Sequence, residues 1–226
     1  MANLDFTLTC VLFDLDGTLV DTAPDLIACL NLALEQHGFA QAAYSTVRPF
    51  ISFGAEAMIK HSSAADALED HPAILEIMLN HYEHNIVEHG GFFAGMIETL
   101  EDIEARGLKW GIITNKRERF THPLTKALNL TERAACIISG DTTNNSKPHP
   151  EPMWEACRRA GVQPENCVYI GDAKHDITAG KNANMKTLAA VYGYLTDDDQ
   201  PEQWGADALV TSPAHISAWI ESVLCC

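Results

Sequence analysis

Two carboxylates stand at the end of an apolar run near the start of the chain. Asp14 and Asp16 close a run that begins at Val11, and Gly17 follows them. Two residues apart in an extended strand, the two acids point to the same side. A buried strand that ends in two acids and a glycine turn needs a chemical reason for them, because burying an unpaired charge is costly. These two residues are therefore the first candidates for chemistry.

Further polar residues follow the later apolar runs of the chain. Thr114 and Asn115 end the second run, and Asp172 ends the fourth. Asp176 comes four residues after Asp172, and Lys147 lies in the loop before the helix that leads to the fourth run. Because the carboxyl ends of parallel strands meet at one edge of a sheet, we expect these residues and the first two acids to converge on one crevice.

The residue types in this crevice indicate phosphoryl transfer. Several carboxylates close together repel one another, and a hard divalent cation with oxygen ligands, most plausibly Mg²⁺, is the simplest way to keep them ionised. Lys147, the Thr114 hydroxyl and the backbone amides after Asp14 are suitable donors for the oxygens of a phosphoryl group. A metal, these donors and a spare carboxylate nucleophile together indicate transfer through an aspartyl phosphate.

Alternating strands and helices are predicted to position these residues. Their alternation is typical of an α/β fold, a doubly wound parallel sheet with helices on both faces, which binds ligands beyond the carboxyl ends of its strands. The predicted strands span residues 10–16, 109–114, 136–139, 167–170, 187–191 and, at the edge, 208–210. Predicted helices lie near residues 96–106, 119–128, 151–160 and 175–183.

A helical unit is predicted to be inserted after the first strand. Its first helix should begin with Thr22 as the N-cap, Pro24 in the first turn and Asp25 three residues after the cap. Further helical patterns follow it, up to a return rich in glycine. The predicted domain boundaries are 1–20 and 94–226 for the sheet domain and 21–93 for the helical unit.

The composition argues against several classes of partner. The 226 residues are 46% hydrophobic, which is enough to bury a sizeable core. With 31 acids and 15 bases the formal charge is −16, so nucleic acid and anionic membranes would both be repelled. No apolar stretch approaches the roughly 20 residues of a membrane span, and no basic region precedes an apolar run at the N-terminus. We therefore expect a cytoplasmic protein that acts on a small molecule.

Four segments resemble the sequence motifs of a known superfamily. In their order and position they are similar to the four motifs of the haloacid dehalogenase superfamily, and more narrowly to its phosphoglycolate-phosphatase-like branch. The resemblance implies a Rossmann-like core and Mg²⁺-dependent hydrolysis of a small phosphorylated metabolite. The four segments are residues 14–22, 112–115, 146–148 and 170–177.

This resemblance implies a role for each residue of the crevice. Asp14 would attack phosphorus, and Asp16 would protonate the leaving oxygen and later activate water. Thr114 and Lys147 would hold phosphoryl oxygens. Asn115 would orient either the phosphate or the nucleophile. An acid at Asp16 argues against dehalogenase chemistry, whose leaving group needs no proton.

The resemblance also implies the ligands of the metal. Mg²⁺ would be bound by Asp14, by the backbone carbonyl of Asp16 and by Asp172. Asp176 would be either a direct ligand or one step removed from the ion. As an acid in the first turn of a helix, Asp176 could also serve only the helix dipole.

The helical unit is implied to be a small cap of type C1 that closes over the site and selects the substrate. Its hinges would lie near residues 20–23 and 90–95, and closure would exclude competing water. Arg48 falls where related caps touch substrate and would pair with a substrate carboxylate. An exposed arginine on a cap helix could equally have no such role.

Several alternatives stay open at this stage. The substrate would be phosphoglycolate or N-acetylmuramic acid 6-phosphate, and residues 192–194 and 204–207 are more similar to proteins that act on the latter. The same motifs occur in sugar-phosphate mutases, and a non-catalytic phospho-accepting module would share the acidic cluster and the lysine. His149 and His175 flank the motifs without an assigned role. The protein would be a monomer or a homodimer.

Overall fold

A six-stranded parallel sheet forms the centre of the computed structural model, which describes residues 6–225. The strand order is β5–β4–β1–β6–β7–β8, and β2 and β3 form a separate antiparallel ribbon. The strands are β1 Cys10–Phe13, β2 Val20–Asp21, β3 Gly91–Phe92, β4 Lys109–Ile113, β5 Ile137–Ile138, β6 Cys167–Gly171, β7 Lys186–Ala190 and β8 Ala208–Val210. The predicted α/β fold with a doubly wound parallel sheet is confirmed.

Helices connect the strands and cover the sheet. They are α1 Ala23–Gln36, α2 Tyr44–Val47, α3 Ala55–Lys60, α4 His71–His84, α5 Met96–Ala105, α6 Glu118–Ala127, α7 Glu151–Ala160, α8 Lys174–Asn182 and α9 Pro213–Leu224, with short 3₁₀ turns at Arg48–Phe53, Pro164–Asn166 and Pro201–Gln203. Within residues 6–225, no helix has the length and apolar character needed to cross a bilayer.

β1 lies in the middle of the sheet because its residues are apolar and completely buried. Leu12 pairs with Gly111 of β4 on one side and with Tyr169 of β6 on the other. The chain reaches these two neighbours by separate crossovers, so the strand order reverses beside β1. A crevice forms at the carboxyl end of the sheet at such a reversal. The ends of β1, β4 and β6 therefore meet at one place.

The first strand is shorter than the sequence predicts. It ends at Phe13, and the following residues form a turn closed by hydrogen bonds from Gly17 N to Val20 O (3.0 Å) and from Val20 N to Leu15 O (2.9 Å). Gly17 has φ of +82°, a conformation that side chains disfavour. The prediction that the strand continues to residue 16 is therefore wrong, because the turn begins directly after Asp14.

The helices between β2 and β3 have a hydrophobic cluster of their own. α1 packs against α4, and each of their large apolar side chains contributes about 1.5–3 kcal/mol when fully buried. Phe120 and Tyr194 join this cluster from the sheet side. Its most deeply buried members include Leu30, Leu34, Met58, Ile59, Ile74 and Met78. We call residues 21–93 the helical insertion, and its status as a domain stays a prediction.

The two ends of the helical insertion are tied together. Val20 pairs with Phe92 in the ribbon of β2 and β3. The Asp25 carboxylate accepts hydrogen bonds from three backbone N–H groups of the return segment, those of Glu88 (3.1 Å), His89 (2.8 Å) and Gly90 (3.0 Å). The chain thus leaves and re-enters the sheet at one point, where the sequence predicts the two hinges.

Candidate active site

The adjacent ends of β1, β4 and β6 bring the predicted site residues together. Asp14 follows β1, Thr114 follows β4 and Asp172 follows β6. Asp176 lies in the first turn of α8, and Lys147 enters from the loop between β5 and α7. All five side chains are buried. The predicted convergence on one crevice is therefore what the structure shows.

Lys147 is the centre of this cluster. Its ammonium group lies 2.7 Å from Asp14 Oδ1 and 2.7 Å from Asp176 Oδ1, and it also donates to the Tyr169 hydroxyl (2.8 Å) and the Ile113 carbonyl (3.1 Å). The side chain is 1% exposed. Burial alone would lower the pKa of Lys147, but the charges of the two carboxylates raise it above its ordinary value. The lysine therefore remains a cation.

The carboxylates around Lys147 carry more negative charge than one cation can balance. Oxygen atoms of Asp14, Asp172 and Asp176 all lie within 4.8 Å of one another. Burial raises the pKa of Asp14 to about 7, and repulsion by Asp176 adds to this while Lys147 opposes it. Burial and the charges of both other acids raise the pKa of Asp172 well above its usual range. For Asp176, Lys147 outweighs burial, so its pKa is lowered.

Asp172 is held by donors from three parts of the chain. Its carboxylate accepts hydrogen bonds from Tyr194 N (2.8 Å), the Ser52 hydroxyl (2.9 Å) and the Thr18 hydroxyl (3.3 Å). Ser52 belongs to the helical insertion, so the insertion touches the cluster directly. A side chain at Gly17 would collide with Asp172 Oδ2, which explains the glycine at this position.

Asp16 has a separate set of partners. Its Oδ1 accepts hydrogen bonds from the Thr22 hydroxyl (2.5 Å) and from Lys116 Nζ (2.8 Å). Asp16 Oδ2 has no hydrogen-bond partner within residues 6–225, and Asp16 lines the cavity described below. Thr22 stands at the N-cap position of α1 but makes no capping hydrogen bond, so its predicted role as a cap is wrong. Its hydroxyl is instead used to fix Asp16.

Asn115 and Thr114 organise the backbone of the site. The Asn115 side chain donates to Lys147 O (3.1 Å) and accepts from Lys147 N (3.0 Å). This pair of hydrogen bonds fixes the loop that presents Lys147. The Thr114 hydroxyl accepts from Lys116 N (3.1 Å), and Thr114 lines the same cavity as Asp14.

Asp14 and Lys147 of this cluster line a cavity of about 540 Å³ between the sheet and the helical insertion, and we call their buried side of it the floor. Asp14, Asp16 and Lys147 contribute polar groups to it, whereas most of the insertion side is apolar. Its other lining residues are Leu26, Ile51, Ser52, Phe53, Gly54, Ala55, Glu56, Met58, Leu75, Leu79, Tyr82, Thr114, Asn115, Lys116, Arg117, Arg119, Phe120 and His175. A cavity of this size and character is suited to a small organic ligand.

The remaining predicted candidates have different positions. Arg48 is not among the residues that line the cavity; it donates to Gly193 O (3.1 Å) and lies 4.7 Å from the centre of the Tyr194 ring. Arg48 therefore joins the insertion to the turn that follows β7 in this structure. His175 lines the cavity, and burial lowers its pKa, which keeps it neutral. The exposed His149 accepts from Glu151 N (3.2 Å) at the start of α7.

Sequence reasoning gave no role to several residues of the site. For Lys116 the sequence holds a signal of a role in the site, since this residue directly follows the two polar residues at the end of β4. In the structure, Asp16 raises the pKa of Lys116 although burial opposes this. For Tyr169 and Ser52 the sequence holds no such signal, because a tyrosine within a strand and a serine within an apolar turn both fit ordinary structural roles. Tyr194 links Asp172 to the insertion, and its hydroxyl donates to Asp21 (2.7 Å).

A match to a sequence profile shows which family the chain belongs to. The profile of the haloacid dehalogenase-like hydrolases matches residues 11–190, which include the whole cluster around Lys147. The chain belongs to the haloacid dehalogenase-like hydrolase family. This assignment confirms the resemblance inferred from the four motifs, and it agrees with the position of each motif at a strand end or in the loop of Lys147.

Relatives within the haloacid dehalogenase-like hydrolases are named as phosphatases. N-acetylmuramic acid 6-phosphate phosphatase of Pseudomonas putida is 41% identical to this chain and covers 96% of it and 98% of its own length. Phosphoglycolate phosphatase of Xanthomonas campestris is 38% identical, with 92% and 96% covered. A solved structure described as a predicted phosphoglycolate phosphatase from Haemophilus somnus has a TM-score of 0.83 at 26% identity and covers 95% of this chain and 98% of its own. The chain is therefore a phosphoric monoester hydrolase of this family.

Proposed function

We propose that this protein is a Mg²⁺-dependent phosphatase that hydrolyses N-acetylmuramic acid 6-phosphate through an aspartyl phosphate on Asp14. One observation carries the proposal: Asp14, held by Lys147 beside two further buried carboxylates, lies at the floor of a large cavity that is apolar on one side. The residues on the floor determine the reaction that we propose, and the volume of the cavity determines the size of the leaving group.

The residues on the floor divide the reaction between them. Asp14 attacks phosphorus, and Lys147 orients it and neutralises charge that develops on the phosphoryl oxygens. Asp16 protonates the leaving oxygen through Oδ2, since Thr22 and Lys116 hold the other oxygen in place. After the leaving group departs, the same carboxylate removes a proton from the water that hydrolyses the aspartyl phosphate. The Thr114 hydroxyl donates to a phosphoryl oxygen.

The donor set fits Mg²⁺. Asp14, Asp172 and Asp176 offer oxygen atoms within 4.8 Å of one another, and burial together with mutual repulsion raises the pKa of the first two. Mg²⁺ favours carboxylate oxygens and relieves that repulsion. Asp14 and Asp172 would bind the ion with the backbone carbonyl of Asp16, and Asp176, already bonded to Lys147, would support them. When bound, the metal supplies charge stabilisation to the phosphoryl group.

We expect Mg²⁺ to stabilise the fold more at pH 8 than at pH 5.5. The pKa of Asp14 is raised from 3.8 to about 7, so its contribution to the metal-free fold is intact below pH 3.8 and is lost as pH rises through 7. Mg²⁺ binds the ionised carboxylates and reverses this loss. At pH 8 and a hundredfold excess over Kd, we expect a rise in Tm of about 5–10 °C.

Thermal melting with Mg²⁺ and with EDTA at the two pH values checks this expectation. Na⁺ at matched ionic strength is the control for a general salt effect. An equal rise in Tm at both pH values would show that the buried carboxylates do not bind the ion.

The cavity favours a sugar-sized leaving group over glycolate. About 540 Å³ lies between the floor and the insertion, and Met58, Leu75, Leu79 and Phe120 make much of its wall apolar. Glycolate has a single methylene group to place against these side chains, whereas N-acetylmuramic acid has a pyranose ring, an acetamido methyl group and a lactyl methyl group. Burial of such groups contributes about 25 cal/mol per Å². The relative from Pseudomonas putida is named for this substrate.

We also propose that the helical insertion acts as a cap. It reaches the floor through Ser52, and it is tied to the sheet domain through Arg48 and Gly193. Rotation about the ribbon of β2 and β3 would open the cavity to admit substrate. Closure would then exclude water that competes with the ordered nucleophile.

A substrate panel tests the proposed function. N-acetylmuramic acid 6-phosphate, phosphoglycolate and glucose 1-phosphate are each supplied with Mg²⁺ and with EDTA, and free phosphate is measured. We expect the highest kcat/KM for N-acetylmuramic acid 6-phosphate and loss of activity in EDTA. A higher kcat/KM for phosphoglycolate would contradict the proposed substrate, and conversion of glucose 1-phosphate to an isomer without free phosphate would show a mutase instead.

A further inference from the structure

Three cations stand close together on one wall of the cavity. Lys116, Arg117 and Arg119 all line it, and they lie between the end of β4 and the first turn of α6. The whole chain has 15 lysines and arginines and a formal charge of −16. Three cations within four positions on the cavity wall therefore depart from the general charge of the protein. We call them the cationic wall.

The two arginines of the cationic wall have no anionic partner. Lys116 is paired with Asp16, but within residues 6–225 the guanidinium of Arg117 makes no hydrogen bond or ion pair. The Arg119 guanidinium lies 4.4 Å from the centre of the Phe120 ring and likewise has no acidic partner in that range. Glu56, the one cavity acid besides Asp14 and Asp16, forms no ion pair with either arginine there. Two cations of the cavity thus remain free to bind an anion.

These arginines differ in burial from the residues that would bind the phosphoryl group. Asp14, Thr114 and Lys147 are buried at the floor of the cavity, whereas Arg117 and Arg119 are exposed. The charge of Lys147 is also already matched by its carboxylate partners. The free anion-binding capacity of the cavity is therefore on its solvent-exposed side, which we call its outer part.

We propose that Arg117 and Arg119 bind a carboxylate on the far end of the leaving group. The inference rests on the proposed phosphatase function and names the residues that select its substrate. A guanidinium donates two parallel hydrogen bonds to a carboxylate, and such charge-assisted pairs are among the stronger polar contacts. Arg48, the cation that the sequence favours for this role, is occupied by Gly193 and Tyr194.

The position of the carboxylate distinguishes the two candidate substrates. In phosphoglycolate the carboxylate is bonded directly to the ester carbon, so it would stay near the floor. In N-acetylmuramic acid 6-phosphate the lactyl carboxylate is carried by the ether on C3, so carbons C3 to C6 of the sugar separate it from the phosphate and it would lie farther from the floor. An anion-binding group in the outer part of the cavity matches the second arrangement. The apolar wall formed by Leu75, Leu79 and Phe120 lies along the same cavity.

The closing experiment compares two substrates that differ only in the lactyl group. N-acetylglucosamine 6-phosphate is N-acetylmuramic acid 6-phosphate without the lactyl ether. We expect the wild-type kcat/KM to be about 10–100-fold higher for the muramic compound, with the difference mainly in KM, because the carboxylate contact is the same before and in the transition state. In Arg117→Gln and Arg119→Gln this ratio should fall towards one. Arg158→Gln, at an exposed ion pair on α7, is the matched control and should keep the ratio.

Each outcome decides the inference. A wild-type ratio near one, or an equal loss on both substrates in the arginine variants, would overturn the carboxylate role while leaving phosphatase activity intact. If phosphoglycolate alone is hydrolysed, the proposed substrate is wrong. The carboxylate role is then overturned as well, because the carboxylate of phosphoglycolate would stay near the floor, apart from the two arginines.

Discussion

Replacing Asp14 with Asn should reduce kcat by on the order of 10⁵-fold or more, the scale of loss when a covalent nucleophile is removed. Asn keeps the shape of the side chain and an oxygen that can accept from Lys147. In the wild-type protein, Lys147 Nζ lies 2.7 Å from Asp14 Oδ1. The amide nitrogen cannot form the aspartyl phosphate. Release of phosphate from N-acetylmuramic acid 6-phosphate is the measurement, and Asp14→Ala serves as a control because it cannot revert to Asp by deamidation.

The same substitution should leave the metal-free fold intact. The Asp14 carboxylate is buried and repelled by Asp176 and Asp16, which is why its pKa is raised to about 7. A neutral amide removes that repulsion, so we expect the Tm in EDTA at pH 8 to stay the same or rise, while the Mg²⁺-induced increase becomes smaller. Activity within tenfold of wild type would mean that another group is the nucleophile. A large fall in Tm would mean that the loss of activity reflects misfolding.

Replacing Lys147 with Met should damage both stability and activity. Removing this cation leaves Asp14 and Asp176 buried without their shared partner, and breaking a buried ion pair in this way costs about 3–5 kcal/mol. In a chain of this length that corresponds to a fall in Tm of about 6–20 °C in EDTA at pH 8. We expect kcat to fall on the order of 10²–10⁴-fold, because a donor to the phosphoryl oxygens is lost.

A milder change in the same network provides the control. Tyr169→Phe removes the hydroxyl that accepts from Lys147 and donates to the Ile113 carbonyl at 2.8 Å, but it keeps the ion pairs. Its effect on the free energy of unfolding should be about 1–3 kcal/mol, smaller than that of Lys147→Met. Lowering the pH to 5.5 should reduce the destabilisation of Lys147→Met, because the remaining carboxylates are then more easily protonated. Equal destabilisation by the two substitutions would contradict the central role of the lysine charge.

The fold and the residues on the floor of the site are predictable from the sequence because both depend on local sequence patterns. Strand and helix periodicity identifies where each strand ends, and in a parallel sheet the ends themselves determine which residues meet. Asp14, Thr114 and Asp172 are therefore predictable from their positions alone. The loop residue Lys147 is less determined by periodicity, because only its position in the loop before the helix that leads to the fourth strand connects it with the crevice.

Contacts between distant segments could not be predicted in this way. Thr22 has every local feature of an N-cap, yet its hydroxyl is used by Asp16, because the turn after β1 brings the two together. Arg48 depends on how the insertion sits on the sheet domain, which no periodicity specifies. Lys116 and Arg117 are adjacent in sequence and both line the cavity. Only the structure shows that Lys116 is paired with Asp16, whereas Arg117 has no ion pair within residues 6–225.

Trapping the phosphorylated protein tests the central claim most directly. Asp16→Asn should still accept a phosphoryl group from 4-nitrophenyl phosphate, whose leaving group needs no proton, but it should hydrolyse the aspartyl phosphate slowly. With Mg²⁺ and rapid quenching, we expect a burst of about one equivalent of nitrophenolate and a phosphoryl group located by mass spectrometry on Asp14. The double variant with Asp14→Asn should show neither. No burst, or a phosphoryl group on another residue, would contradict an Asp14 nucleophile.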